Sequence, residues 1–194
     1  MGDPRVVFVD SDNHTLSTVS GILTEQPWEC ALFDNASEAL QYLQQNAVAL
    51  IAGGLRLPQV DGLELLRRTE ACSPETIRIA LATETDRDQL LEAIGSGVVQ
   101  RYITKPYSEI ELISLVRQSV DLWLLRCRYA ELAQTLAHDL RLPLQSIGAA
   151  VLLASVLLRD DDPRYGELKR YLETILTSAG DVQKIIGAVE TRVI

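Results

Sequence analysis

Residues 48–62, VALIAGGLRLPQVDG, read as a buried strand that runs out into two glycines and then a turn. Residues 48–52 are apolar without alternation, the pattern of a strand covered on both faces. The LPQVDG that follows carries turn chemistry and hands over to a helical pattern at Gly62. In a parallel sheet, the carboxyl end of such a strand delivers its last side chain to the edge where ligands bind. That position falls on Gly53 and Gly54, which have no side chain to deliver.

On either side, further β-rich runs occur at 5–9 (RVVFV), 29–33 (ECALF), 77–81 (IRIAL) and 100–104 (QRYIT). Helical patterns separate them: HTLSTVSGILTE after Asn13, SEALQYLQQ from Ser37, GLELLRRTEA from Gly62 and DQLLEAIGSG from Asp88. A fifth starts at Ser108, where Ser108 and Glu111 have the spacing of a capping box. Strands alternating with helices of this length predict βαβ units. The expected fold is therefore α/β, doubly wound, with a five-stranded parallel sheet covered on both faces.

After residue 120 the strand signal stops. Leu125, Tyr129, Leu132, Leu136, Leu140, Leu144, Ile147, Val151, Ala154 and Leu158 recur at helical spacing. RDDDPRYG (159–166) interrupts them, and Tyr165, Leu168, Leu172, Ile175, Ala179, Val182, Ile186, Val189 and Val193 make a second stripe. Two long amphipathic helices joined by a short acidic turn predict an antiparallel hairpin. A lone hairpin leaves much of its stripe wet, and pairing with a second copy as a four-helix bundle covers it. No break separates the first stripe from the helix at Ser108. One helix over 108–159 is thus expected to join a domain at 1–120 to one at 121–194.

The chain has 194 residues, 47% of them apolar and 23% charged, enough to bury a core. Its formal net charge of -9 argues against a nucleic-acid partner. The acid is concentrated in residues 1–120, with 17 Asp and Glu against 9 Lys and Arg, whereas 121–194 has 10 against 9. Cys30, Cys72 and Cys127 form no CxxC pair, which fits reduced thiols in a cytosol. The N-terminus lacks a secretory pattern, and the apolar run at 147–158 is read as too short to span a bilayer. A soluble cytoplasmic protein with no membrane partner is expected.

The predicted carboxyl ends of the strands bring VDSD (9–12), AGG (52–54), LAT (81–83) and YITKP (102–106) to one edge. Carboxylates, a hydroxyl and a lysine together suit Mg²⁺ and phosphoryl oxygens. These motifs and LRLPQVDG, in this order, resemble a response-regulator receiver domain over residues 4–120. The resemblance implies the flavodoxin-like strand order 2-1-3-4-5 and a phosphoryl-accepting aspartate ending the third strand, beside acids that hold Mg²⁺. It makes Thr83 the switch hydroxyl, Lys105 the phosphate-binding lysine and Tyr102 the aromatic that reorients on activation. Counted back from Pro58, the acceptor falls on Gly54. Asp10 is present, but Ser11 stands where the second acid belongs, and Asp12 comes one residue late. Poor Mg²⁺ affinity follows, with no metal bound. The expectation is a pseudo-receiver that keeps the fold and has lost the phosphorylation chemistry. Asp61 reads as a helix start, His14 as an exposed first-turn residue, and Lys105 as a possible partner of Asp10.

HDLRLPL (138–144) lies on the first bundle helix. His138 falls two residues past Leu136, about 200° round the helix, and so faces away from the apolar stripe. Asp139 can orient an imidazole, raise its basicity and take its proton during attack on phosphorus. Pro143 removes a backbone hydrogen bond and is expected to kink or loosen the helix. The stretch resembles the H-box of the dimerisation and histidine-phosphotransfer domain of sensor histidine kinases, the hairpin at 121–194 included. The resemblance makes His138 the phosphoacceptor and Asp139 the general base, with Arg141 and Pro143 shaping the helix. Leu142 replaces the Thr or Asn that supports phosphatase activity, so none of that kind is expected. No nucleotide-binding box is present in these residues, so autonomous kinase activity is not expected. Mg²⁺ and ATP would act only through a partner.

The sequence thus points to a two-component signalling protein. A phosphorylation-dead receiver would regulate a homodimeric bundle whose His138 exchanges a phosphoryl group with a histidine-kinase ATP-binding domain or a response-regulator receiver. That ATP-binding domain belongs to another chain, or to a longer protein of which this is a part. The alternative is a non-catalytic dimeric adaptor that docks or sequesters a kinase or regulator.

Overall fold

The computed structural model describes residues 3–58, 60–157 and 165–193, with side chains in the final helix described to residue 188. It divides into two units, Met1–Arg126 and Cys127–Ile194. In the first, β1 (Arg5–Val9), β2 (Glu29–Phe33), β3 (Leu50–Gly54), β4 (Ile77–Ala82) and β5 (Arg101–Thr104) form one sheet in the order β2-β1-β3-β4-β5. Every neighbouring pair is parallel. Between the strands lie α1 (Asn13–Leu23), α2 (Ala36–Gln45), α3 (Gly62–Cys72) and α4 (Arg87–Gly95), the last preceded by a 3₁₀ turn at Glu84–Asp86. α5 (Glu109–Leu157) opens on the expected capping box: the Ser108 amide and hydroxyl each donate to Glu111 at 2.8 Å.

Side-chain alternation sorts the core into two layers. Val6, Phe8, Leu50, Ala52, Ile77, Ile79 and Leu81 point to the face covered by α1 and by Leu112, Val116 and Val120 of α5. Val7, Val9, Ile51, Ala80 and Ala82 point the other way, onto α2, α3 and α4. Burying each large aliphatic or aromatic side chain contributes about 1.5–3 kcal/mol. β5, the edge strand, leaves Tyr102 and Thr104 exposed.

The strand at the middle of the sheet begins two residues later than its apolar run predicts and carries through both glycines. Its ladders explain this. Gly53 pairs with Val9 on one side and Ala80 on the other, and Gly54 pairs with Leu81. Hydrogen bonding from the flanking backbones holds the glycines extended although they contribute no side-chain packing. Gly62 is fixed by closeness instead, since a Cβ there would lie 2.0 Å from the Gly54 carbonyl oxygen. The start of α3 therefore rests directly on the end of β3, with Gly62 N–H donating to the Leu55 carbonyl at 3.0 Å. At the opposite edge of the sheet, buried Arg78 donates to the Val98 carbonyl (2.8 Å) and to Glu70 (2.9 Å), pinning the turn after α4. Gly97, at φ 77°, supplies that turn's left-handed residue.

The second unit consists of α5 beyond Arg126 and α6 (Tyr165–Val193). The acidic turn expected at 159–166 falls largely outside the described residues, as does Leu158; nothing is described of the Val189 and Val193 side chains. The apolar stripes divide. Val151, Ala179 and Ile186 are buried together with Ala137, whereas Tyr129, Leu132, Leu136 and Leu140 are exposed, Leu136 by 60%. α6 likewise exposes Tyr171, Ile175, Val182 and Ile185. A nook of about 270 Å³ sits between Arg141 and Gln145 of α5 and Gln183 and Ile186 of α6, so these segments lie side by side. α5 runs on through Pro143 without ending. Pro143 has no N–H for the Asp139 carbonyl, and the rest of the ladder carries the helix past it.

α5 contains an 18-residue window of mean hydropathy 1.6, long and apolar enough by length and composition to cross a membrane. The run read as too short began at Ile147, but no charged residue occurs between Arg141 and Arg159. Within this stretch the Ser146 and Ser155 hydroxyls donate to the Leu142 and Val151 carbonyls, which lowers its polarity further.

Gly62→Ala should lower the unfolding free energy by about 3 kcal/mol or more, because backbone rather than a flexible side chain must yield. Urea denaturation checks this, and a midpoint unchanged from wild type would contradict the contact.

Candidate functional site

Four of the loops at the carboxyl edge, those after β1, β3, β4 and β5, are joined by side chains. Asp10, which follows β1, is 4% exposed and pairs with Lys105, which follows β5. The same carboxylate accepts the Asp12 amide at 3.0 Å. Gly54 ends β3 beside this pair: a Cβ at Gly54 would lie 3.0 Å from Asp10 Oδ2. Ser11 donates its hydroxyl to the Arg56 carbonyl at 3.2 Å. Asp12 caps α1, accepting the His14 amide (3.0 Å) and the Thr15 hydroxyl (2.8 Å). The Thr15 hydroxyl and then the His14 amide hold the Asp12 carboxyl below the ordinary aspartate range. Half-buried Tyr107 stands near both acids. Burial, then the charges of Asp10 and Asp12, push its phenol up to about 12.

These donors do not fit Mg²⁺. The ion requires near-octahedral oxygens, but Gly54 offers no side-chain oxygen, Asp10 is committed to Lys105, and Asp12 is committed to the helix cap. Among the described residues, no three His, Cys, Asp or Glu side chains converge as a metal site.

Thr83, at the end of β4, is engaged elsewhere. Its amide (2.8 Å) and hydroxyl (2.5 Å) both donate to Asp86 Oδ2, closing a capping box over the 3₁₀ turn. Arg56 Nε donates to Asp86 Oδ1 at 2.8 Å, and its Nη2 reaches Thr85 at 2.9 Å. Burial, the largest single influence, pushes the Asp86 carboxyl up. The Thr83 hydroxyl and amide and the Arg56 guanidinium outweigh it and hold the group below the ordinary range. Asp61 caps α3 and accepts Gln89 of α4 at 3.1 Å, a structural role in place of an acceptor one. Tyr102, 51% exposed, lines a groove of about 740 Å³ together with Lys105, Pro106, Ile110 and Glu111.

The structure thus brings Asp10, Ser11, Gly54 and Lys105 together as the sequence expects, and adds Arg56, Asp86 and Tyr107. T-x-x-D at 83–86 is a capping-box pattern that could have revealed Asp86. Arg56 carries no comparable signal, because its partner lies thirty residues away.

In the second unit, His138 is exposed, and His14 of the first unit is too. Among the described residues, neither the His138 ring nor the Asp139 carboxylate makes a hydrogen bond or ion pair. Arg141 and Gln145 follow His138 on the same side of α5 and line the nook against Gln183.

Comparison with known proteins bears on the first unit. Residues 6–117 match the response regulator receiver domain family. The chain is 28% identical over 116 residues to the hydrogenase transcriptional regulatory protein HoxA of Cupriavidus necator, covering 60% of this chain and 24% of that protein. It is 26% identical over 116 residues to the DNA-binding transcriptional regulator NtrC of Escherichia coli K12, with the same coverage. The chain therefore spans about a quarter of the length of these regulators. Among solved structures, the signal receiver domain of an HD domain-containing protein from Pseudomonas fluorescens Pf-5 superposes with TM-score 0.63 at 30% identity. That match covers 66% of this chain and 94% of that one. NtrX from Brucella abortus, solved in complex with ATP, superposes with TM-score 0.62 at 21% identity, covering 75% of this chain and 35% of that one.

The depressed Asp86 carboxyl has a consequence for stability. Its contribution is present above the unfolded aspartate pKa, about 4, and is lost as pH falls through the lower folded value. Between about pH 5 and pH 3, the wild type should lose more thermal stability than Asp86→Asn. Parallel losses in the two proteins would contradict this.

Proposed function

This chain belongs to the response regulator receiver domain family, and on that premise we propose that it is a two-component signalling protein built on a phosphorylation-dead receiver. The observation that carries the reading is the corner at Gly54. A phosphoryl acceptor there needs a carboxylate oxygen, and the space next to a Cβ at this position is already occupied by Asp10, itself held by Lys105. The lysine that would bind phosphoryl oxygens is neutralised inside the fold. Such a unit acts by docking or regulation rather than by accepting phosphate.

In the same reading, the second unit is a dimeric histidine-phosphotransfer module. His138 is its acceptor, Asp139 its general base, and Arg141 and Pro143 shape the surrounding helix. The exposure of His138 supports this, since a phosphoryl donor must reach its ring nitrogen in line. The exposed stripes Leu132, Leu136 and Leu140 on α5 and Ile175, Val182 and Ile185 on α6 support a homodimer, because a four-helix bundle would cover them. Magnesium and ATP would come with a partner kinase domain, or the phosphoryl group with a phosphorylated receiver. A second reading has an observation in its favour: with His138 and Asp139 not hydrogen-bonded to each other, a dimeric adaptor with a vestigial histidine also fits.

Incubating wild type and His138→Gln with ATP and an active histidine-kinase ATP-binding domain, and separately with phosphorylated receivers, decides between them. Acid-labile, alkali-stable label on wild type alone is expected, and no label from any donor would leave the adaptor. Leu136→Glu combined with Leu140→Glu should convert a dimer to a monomer in sedimentation. A wild type that is already monomeric at micromolar concentration would remove the bundle from the reading.

A further inference from the structure

We propose that the Arg56–Asp86–Thr83 clasp latches the receiver unit in a single conformational state by tying the junction of β4 and α4 to the loops after β1 and β3. This rests on the reading of the unit as phosphorylation-dead and adds how its switch is held.

Asp86 is 4% exposed and both its oxygens are occupied: Oδ2 by the Thr83 amide and hydroxyl at 2.8 and 2.5 Å, Oδ1 by Arg56 Nε at 2.8 Å. The Thr83 hydroxyl has a further neighbour in Thr85 Oγ1 at 2.8 Å, which Arg56 also engages. For this hydroxyl to turn toward the end of β3, a short charge-assisted hydrogen bond must break. A buried carboxylate would then be left with one donor fewer. Nothing at the corner compensates. Gly54 presents no side-chain oxygen, and the Lys105 ammonium is already paired with Asp10. The equilibrium is therefore one-sided, because a second state becomes populated only when something interacts with it more favourably than with the first. The clasp also reaches the first loop, since Ser11 bonds the carbonyl of the same Arg56 whose guanidinium holds Asp86. One run of bonds thus fixes the loops after β1, β3 and β4 together.

The test is relaxation dispersion on the Thr83 methyl and the Tyr102 ring in the full chain, comparing wild type with Asp86→Asn and Arg56→Ala. Millisecond exchange is expected to be absent in wild type and to appear at both probes in the variants. Asp86→Asn preserves shape, and the Arg56 side chain is 71% exposed, so both variants should fold, with thermal unfolding as the check. Exchange at Thr83 or Tyr102 in wild type would overturn the latch. So would two folded variants as quiet as wild type. The underlying reading fails separately. If acetyl phosphate with Mg²⁺ placed a hydroxylamine-sensitive phosphate on wild-type Asp10 or Asp12, the unit would not be phosphorylation-dead, while the dispersion data would still report on the latch.

Discussion

The ion pair between Lys105 and Asp10 closes the carboxyl edge of the sheet, and neighbouring loops take their positions from it. The lysine follows β5 and the aspartate follows β1, with β3 and β4 between them, so the contact crosses the centre of the sheet. Asp10 is almost wholly enclosed, and removing one member of a buried pair typically costs about 3–5 kcal/mol. From Asp10 the order spreads outward. Its carboxylate takes the Asp12 amide, which sets Asp12 to cap α1, and α1 places Leu16, Val19 and Leu23 against one face of the sheet.

The sheet was legible because its signal is local and repeated. Apolar runs flanked by helical patterns gave all five strands and their parallel arrangement, with errors of one or two residues at the ends. The largest came where a glycine pair looked like a strand end. A propensity argument sees only the missing side chains, whereas the ladders to Val9, Ala80 and Leu81 come from segments distant in sequence. The site divided in the same way. Asp10, Ser11, Gly54 and Lys105 were found because strand ends converge in any doubly wound sheet. Arg56 stayed hidden, since nothing nearby announces a partner across the edge.

The helical unit shows a different limit. Periodicity located the apolar positions of α5 and α6 but could not tell which of them meet each other. Small residues are among the buried ones: Ala137 and Ala179 are buried, as are Val151 and Ile186, while Leu132, Leu136 and Leu140 are exposed. A stripe broad enough for two neighbours looks, in one dimension, like a stripe broad enough for one. The apolar run at 147–158 sits inside a longer uncharged segment, because Gln145 and Ser146 are polar without being charged.

The neutralised corner also changes what the cell can say to this unit. A cluster of bare carboxylates repels itself and is relieved by a divalent cation, so its folded state is linked by mass action to the free concentration of that cation. With one acid matched to one lysine and another accepting helix-cap amides, much of that self-repulsion is already relieved within the chain itself. On this chemistry, the melting temperature of the unit should respond little to added magnesium.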